Sequence, residues 1–211
     1  MPQTSQILLI RHGETDDNRQ GRFQGHGGSR LNAEGQAQAQ RLAERLRPVG
    51  IDAVYASDLD RAFETASAVA ATRGLPVLKD HRLREVDVGK WQGLSGEEIA
   101  VHFADEWIAW REGRDVPRGG GETYRDVQLR VVAVLTEIVA AHRSRRVAIV
   151  SHGGAIKSVV AWLIGGSADA MRTMAPIENT SITLLEEPSH PGAPRPFVVR
   201  SFNDVAHLRS L

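Results

Sequence analysis

The chain has 211 residues, 41% of them hydrophobic and 25% charged, which excludes a disordered or low-complexity protein and suits one compact domain spanning residues 1–211. Lysine plus arginine and aspartate plus glutamate both number 26, so the net charge is zero and no global attraction to nucleic acid or an anionic membrane is expected. The absence of cysteine removes disulfides, thiolate chemistry and thiolate-bound metals, and no apolar run approaches the length of a membrane span.

The polar start, Met1 to Gln6, precedes only four apolar residues, too few for the core of a signal peptide, so a cytoplasmic protein is expected. Those residues, Ile7-Leu8-Leu9-Ile10, then stop abruptly at Arg11-His12-Gly13-Glu14-Thr15. A continuous apolar run predicts a strand covered on both faces, as in a parallel sheet, and Gly13 permits a sharp turn directly after it. The carboxyl end of such a strand is where open α/β sheets bind ligands. From Thr15 to Gly28 the chain is polar and glycine-rich, with Arg19 and Arg22, suited to a loop around an anionic ligand.

A helix follows, capped by Asn32 and closed by Pro48, with Ala39, Leu42, Ala43 and Leu46 on one face. The short apolar run Ala53 to Ala56 predicts another strand. It leads into Ser57-Asp58-Leu59-Asp60-Arg61, so Arg61 falls in the first turn of a helix that presents Leu59, Ala62, Phe63, Ala66 and Val69 to the sheet and ends at Gly74. Arg61 lies off that stripe, and from position alone it reads as a solvated surface arginine. Pro76 to Leu78 predicts a further short strand, and position alone likewise gives Glu85 no special standing.

Residues 94–117 carry short helical pieces with Phe103, Trp107 and Trp110, and Gly119-Gly120-Gly121-Glu122-Thr123 introduces a long helix in which Val127, Val131, Val134, Leu135, Ile138 and a structural or exposed His142 recur at helical spacing. The opening pattern then repeats: Val147-Ala148-Ile149-Val150 runs into Ser151-His152-Gly153-Gly154. Two parallel strands of this kind set both imidazoles on one rim of the sheet. A last helix carries Ile156, Val159, Val160, Leu163 and Ile164 and ends at Gly165-Gly166. Ser181 to Leu185 and Phe197 to Phe202, around the proline-rich connector 188–196, predict a hairpin at the sheet edge. The expected fold is a three-layer α/β/α sandwich with a mainly parallel sheet.

With these residues in view, the sequence resembles the histidine phosphatase superfamily, which includes the cofactor-dependent phosphoglycerate mutases and many small phosphatases. Its Arg-His-Gly-Glu-Thr signature stands intact at Arg11 to Thr15, and the likeness continues through Asn18, Gly21 to Gly25, Ser57 to Leu59, Arg61, Glu64 to Ala66, Leu83 to Glu85, Gly120 to Glu122 and Ser151 to Gly153. Asp16 and Asp17 replace an aromatic residue common before Asn18, and Gly28-Ser29-Arg30-Leu31 departs from the usual Asp-x-Pro-Leu. The resemblance implies that His12 is the nucleophile, that Arg11, Arg61 and His152 hold the phosphoryl group, and that Glu85 is the proton donor. It also makes Thr15, Asn18, Gln24 and Gly153 substrate contacts and residues 94–117 an insertion covering the site.

That chemistry is coherent. Cations neutralise the phosphoryl oxygens so that a nucleophile can approach, and they also keep the attacking imidazole neutral. Glu85 starts protonated, gives its proton to the leaving alkoxide and then activates the water that hydrolyses the phosphohistidine. The expected activity is metal- and cofactor-independent hydrolysis of a small phosphorylated metabolite. A mutase is the alternative, but family mutases carry a longer insertion with extra arginines, whereas Arg111 and Arg114 are the candidates found here. A binding module without activity is less favoured, because the His, Arg and Glu set is complete. The eight histidines show no metal-binding spacing. A homodimer is left open. Specificity among esters is expected to reside in residues 94–117.

Overall fold

A computed structural model describes residues 4–166, 168–188, 190 and 192–209. The first three residues of the polar start, and Ser189 and Pro191 of the connector, lie outside the described residues. The first apolar run forms strand β1 (Gln6–Arg11), and the later elements of the sheet are β2 (Ala53–Ala56), β3 (Val77–Lys79), β4 (Arg146–Ser151), β5 (Ile182–Glu186) and β6 (Val198–Asp204). Their order is β3-β2-β4-β1-β5-β6, six strands in all. The pairs among β3, β2, β4 and β1 are parallel, while β5 and β6 complete the sheet as the expected antiparallel edge hairpin.

Alternation along β1 explains the three layers. Ile7 and Leu9 face a core built with helices α6 (Tyr124–Ala141) and α7 (Gly153–Leu163), while Leu8 and Ile10 face α2 (Ala33–Leu46) and α3 (Asp60–Ala71). Both faces are therefore apolar along the central strands, and each fully buried Leu or Ile there contributes about 1.5–3 kcal/mol. In α2 the buried set includes Ala39, Leu42, Ala43 and Leu46, and the Asn32 side chain caps the helix by accepting from Gly35 N–H at 2.8 Å. No helix among the described residues is long and apolar enough to cross a membrane.

Two local outcomes differ from expectation, and residues 94–117 form the short helices expected of them. The segment after Thr15 contains a one-turn helix, α1 (Asp16–Arg19), because Thr15 and Asn18 close a reciprocal capping box. In α3, Leu59 and Phe63 are only half-buried while Arg61 and Thr65 are buried, because one edge of this helix faces the ligand rim instead of the sheet. Residues 94–117 form α4 (Gly96–His102) and α5 (Ala104–Arg111), and the aromatics of this stretch turn inward. Trp107 and Trp110 meet Phe23 and Trp91 edge to face, with ring centroids 5.7–6.1 Å apart. His142 is structural, its Nε2 lying 3.0 Å from the Tyr55 hydroxyl.

Candidate active site

Register alone brings the histidines together. Arg11 in β1 lies opposite Ser151 in β4, so the residues that follow, His12 and His152, leave neighbouring parallel strands side by side. Their ring centroids are 5.1 Å apart with the planes tilted by 58°. Both rings are buried, at 3% and 0% exposure. The turn after His12 needs a glycine, since a Cβ at Gly13 would lie 2.6 Å from the Gly35 carbonyl oxygen.

The His12 ring is fixed by its Nδ1, which lies 2.7 Å from the Gly13 carbonyl oxygen. A carbonyl only accepts, so Nδ1 carries the proton and Nε2 keeps its lone pair. Burial holds the His12 imidazole well below its ordinary pKa, and the Arg61 and Arg11 guanidiniums push in the same direction. His152 is likewise held well below its ordinary value, by burial first and then by Arg61, His12 and Arg11. Among the described residues neither nitrogen of His152 has a hydrogen-bond partner.

Arg61 is 2% exposed, and its solvated position in the sequence-based expectation gives way to a buried one. Its two terminal nitrogens donate to the carbonyls of Gly27, at 2.5 Å, and Gly25, at 2.8 Å, so the glycine-rich loop anchors the guanidinium. Burial lowers its pKa to about 10, which leaves it cationic at neutral pH. Arg11 donates to the Ile177 carbonyl. The Nε atoms of both arginines are buried and have no hydrogen-bond partner among the described residues. Arg11, Arg61 and His12 thus line one cavity of about 290 Å³, and the fully buried His152 ring stands behind its wall against His12.

Glu85 faces the same cavity from the amino end of α7. Its carboxylate accepts from the backbone N–H groups of Gly154 at 2.9 Å, Ala155 at 3.0 Å and its neighbour Val86 at 2.9 Å. A Cβ at Gly154 would lie 2.5 Å from Glu85 Oε1, so the second glycine of the pair makes room for the carboxylate. Behind it, Arg130 donates to the carbonyls of Arg82, Arg84 and Glu85, each at 2.8 Å, and pairs with Glu122. The His26 Nε2 lies 2.9 Å from the Glu85 carbonyl and donates to it.

Among the remaining sequence-predicted residues, Asn18 and Gln24 line the cavity. Asn18 Oδ1 accepts from the Asn179 side chain, which also donates to the His12 carbonyl at 2.9 Å. Thr15 is fully buried as the cap of α1 and does not line the cavity. Gly153 opens α7 next to the Arg11 guanidinium, while Gly154 reaches the cavity wall. Of residues 94–117, Phe103, Trp107 and Trp110 do not line it: the two tryptophans stand behind Phe23, which does, and Phe103 packs against the core. Arg111 and Arg114 border a separate cleft. Arg118 and Tyr124 line the histidine cavity instead, and sequence reasoning passed over both; the signal was the glycine run beside Arg118. Asn179 and Arg130 carry no local motif that would single them out, whereas Glu122, the partner of Arg130, closes the Gly120 to Glu122 segment of the family resemblance.

A six-stranded, mostly parallel α/β/α sheet with paired imidazoles and buried arginines at its carboxyl rim is the phosphoglycerate mutase-like fold. The model of the histidine phosphatase superfamily (branch 1) matches residues 7–195, and the chain belongs to that family. The chain is 39% identical to phosphoglycerate mutase-like protein 4 of Arabidopsis thaliana over 186 residues, 86% of this chain and 79% of that protein. To the probable phosphoglycerate mutase GpmB of Enterobacter sp. (strain 638) it is 34% identical over 211 residues, covering 96% of this chain and 94% of that protein. The structure of a mycobacterial glucosyl-3-phosphoglycerate phosphatase in complex with VO3 superposes with a TM-score of 0.85 at 31% identity, over 95% of this chain and 99% of that one.

Proposed function

We propose that the protein is a phosphatase that hydrolyses small phosphate monoesters through a phosphohistidine on His12. The observation that carries this reading is the His12 ring: neutral, fixed through Nδ1, and set with a free Nε2 between two buried guanidiniums. Nε2 attacks phosphorus as the ester oxygen leaves, and Glu85 gives that oxygen its proton. Arg11, Arg61 and a His152 N–H hold the phosphoryl oxygens throughout. Water then attacks the phosphohistidine while Glu85 takes its proton, which releases phosphate and restores His12 and the acid. Residues 1–211 act as one histidine phosphatase domain, with Asn18 and Gln24 as further contacts.

A mutase-type return of the phosphoryl group to substrate is the second reading, and the names of the two mutase-like relatives favour it. Against it, Arg111 and Arg114, the candidates for the extra arginines of family mutases, border a different cleft. The deciding experiment offers purified protein a panel of phosphate monoesters, including phosphoglycerates, in the presence of chelator. Phosphate release and acid-labile label on His12 are expected. Label on another histidine, or isomerisation of phosphoglycerate faster than release, overturns the proposal.

A further inference from the structure

Arg118 is 1% exposed and among the largest fully buried side chains of the protein. One terminal nitrogen donates to the Glu122 carbonyl at 3.1 Å, and the guanidinium lies 3.6 Å from the centroid of the Tyr124 ring. Its Nε and Nη2 have no partner, and no carboxylate forms an ion pair with it among the described residues. A buried guanidinium without a counter-anion is costly, and a fold retains such an arrangement where a ligand supplies the charge. Arg11 and Arg61 meet that condition through the phosphoryl group itself. Arg118 lines the same cavity as a third buried cation, beyond what one phosphoryl group requires.

Its place in the cavity says which part of the ligand it meets. The Tyr124 ring beneath it approaches Gly154, where a Cβ would lie 3.3 Å from Tyr124 Cε1 and 2.5 Å from Glu85 Oε1. Arg118 therefore lies at the Tyr124 end of the cavity wall that Gly154 and Glu85, the carboxyl assigned to the leaving oxygen, also line. Burial raises the Tyr124 phenol above its ordinary pKa, so the ring stays neutral and serves as an aromatic floor for the cation.

The backbone that presents Arg118 is also set in advance. Gly119 and Gly121 cross residues 87–90 so closely that a Cβ would lie 2.6 Å from Lys90 N in the first case and 2.2 Å from the Asp87 carbonyl oxygen in the second. Lys90 N–H donates to Gly119 O at 3.0 Å and Glu122 N–H to Asp87 O at 2.9 Å. Only glycine permits this contact, and it leaves Arg118 little freedom to swing to solvent.

Resting on the phosphatase reading above, we propose that Arg118 is a specificity residue that receives a second anionic group, a carboxylate or a second phosphate, on the leaving alcohol. The protein thereby prefers doubly anionic esters over monoesters of neutral alcohols. A matched pair tests this: 3-phosphoglycerate and glycerol 3-phosphate differ in a carboxylate against a hydroxymethyl group, and glycerol 1,3-bisphosphate supplies the second phosphate. Wild-type kcat/KM is expected to favour a doubly anionic ester over glycerol 3-phosphate by on the order of 10- to 100-fold. Arg118→Gln should collapse that ratio toward one, mainly through KM, and Arg118→Lys should restore part of it.

A wild-type ratio near one, an unchanged ratio in folded Arg118→Gln, or equal losses on all three esters that Lys does not relieve would overturn the proposal. If no ester is hydrolysed, the phosphatase reading fails separately. Thermal stabilisation by 3-phosphoglycerate and by glycerol 3-phosphate still decides the role of Arg118, because a preference for the carboxylate that the Gln variant lacks supports it and equal protection refutes it. Should Arg118→Gln not fold, Arg118→Lys carries the same comparison.

Discussion

The two strand-His-Gly segments are near copies in sequence and differ in what surrounds the ring. After β1 the chain turns at Gly13 against Gly35, and the His12 Nδ1 is tied to the Gly13 carbonyl. After β4 the chain enters α7 directly at Gly153, and the His152 ring has no partner on either nitrogen. Equal burial beside the same cations keeps both rings neutral, yet only His12 has its tautomer fixed, with one lone pair left to the cavity. A fixed lone pair suits a nucleophile; a ring with an uncommitted N–H suits a donor to a phosphoryl oxygen.

Substitution separates the two roles most strongly. His12→Ala should lower kcat/KM by roughly 10⁴-fold or more and abolish acid-labile labelling, the scale expected when a nucleophile is lost. His152→Ala should retain labelling at His12 and cost on the order of 10²–10³-fold, as loss of one transition-state donor does. If His152→Ala abolished labelling while His12→Ala left it intact, the assignments would be reversed.

Glu85→Gln extends the contrast to the leaving-group side. An alkyl phosphate needs its oxygen protonated as it departs and an aryl phosphate scarcely does, so the alkyl ester should lose about 10²-fold or more and the aryl ester far less. Equal losses would mean that Glu85 is not the acid.

The pattern of what was legible follows from the range of the interactions involved. Apolar runs ending in His-Gly announced β1 and β4, because strand burial and sharp turns are local properties of the chain. Arg61 was not legible from its own helix: its burial comes from the carbonyls of Gly25 and Gly27 on a distant loop, and only the family resemblance raised it above a surface arginine. Arg118 escaped for a related reason, since its burial depends on residues 87–90 passing over a glycine run. Residues 94–117 were expected to hold the specificity determinants, and aromatic composition does not distinguish a ligand wall from a second row, as Trp107 and Trp110 form behind Phe23.

The glycines of the two segments should differ as sharply as their histidines, though in stability. A Cβ at Gly13 would lie 2.6 Å from a backbone oxygen that cannot swing away, so Gly13→Ala should cost about 3 kcal/mol or more. At Gly153 the nearest atom to an added Cβ is Arg11 Nε at 3.5 Å, an ordinary contact, and alanine also reduces the entropy of the unfolded chain. Gly153→Ala should therefore be neutral or stabilising by up to about 1 kcal/mol. Equal destabilisation of the two in denaturant melts would contradict the geometry.

The smallest effect expected is the response of the two rings to acid. Both native pKa values lie below the ordinary 6.5 of a histidine in the unfolded chain. As pH falls through about 6.5, the unfolded state takes up protons that the native state refuses, so stability is full above that value and declines below it. Each of these two histidines contributes a slope of up to about 1.4 kcal/mol per pH unit until its native ring protonates. His207, lowered to about 4 chiefly by burial, adds to the decline down to that value. The contributions of His12 and His152 are isolated by comparing wild type with His12→Gln and His152→Gln in denaturant titrations from pH 6.5 downward, where each variant should show a shallower decline. The Gly13 carbonyl favours the charged form of His12, and His152 has no such partner. Parallel pH curves for wild type and both variants would mean that neither ring is held neutral, and the free Nε2 assigned to His12 would lose its physical basis.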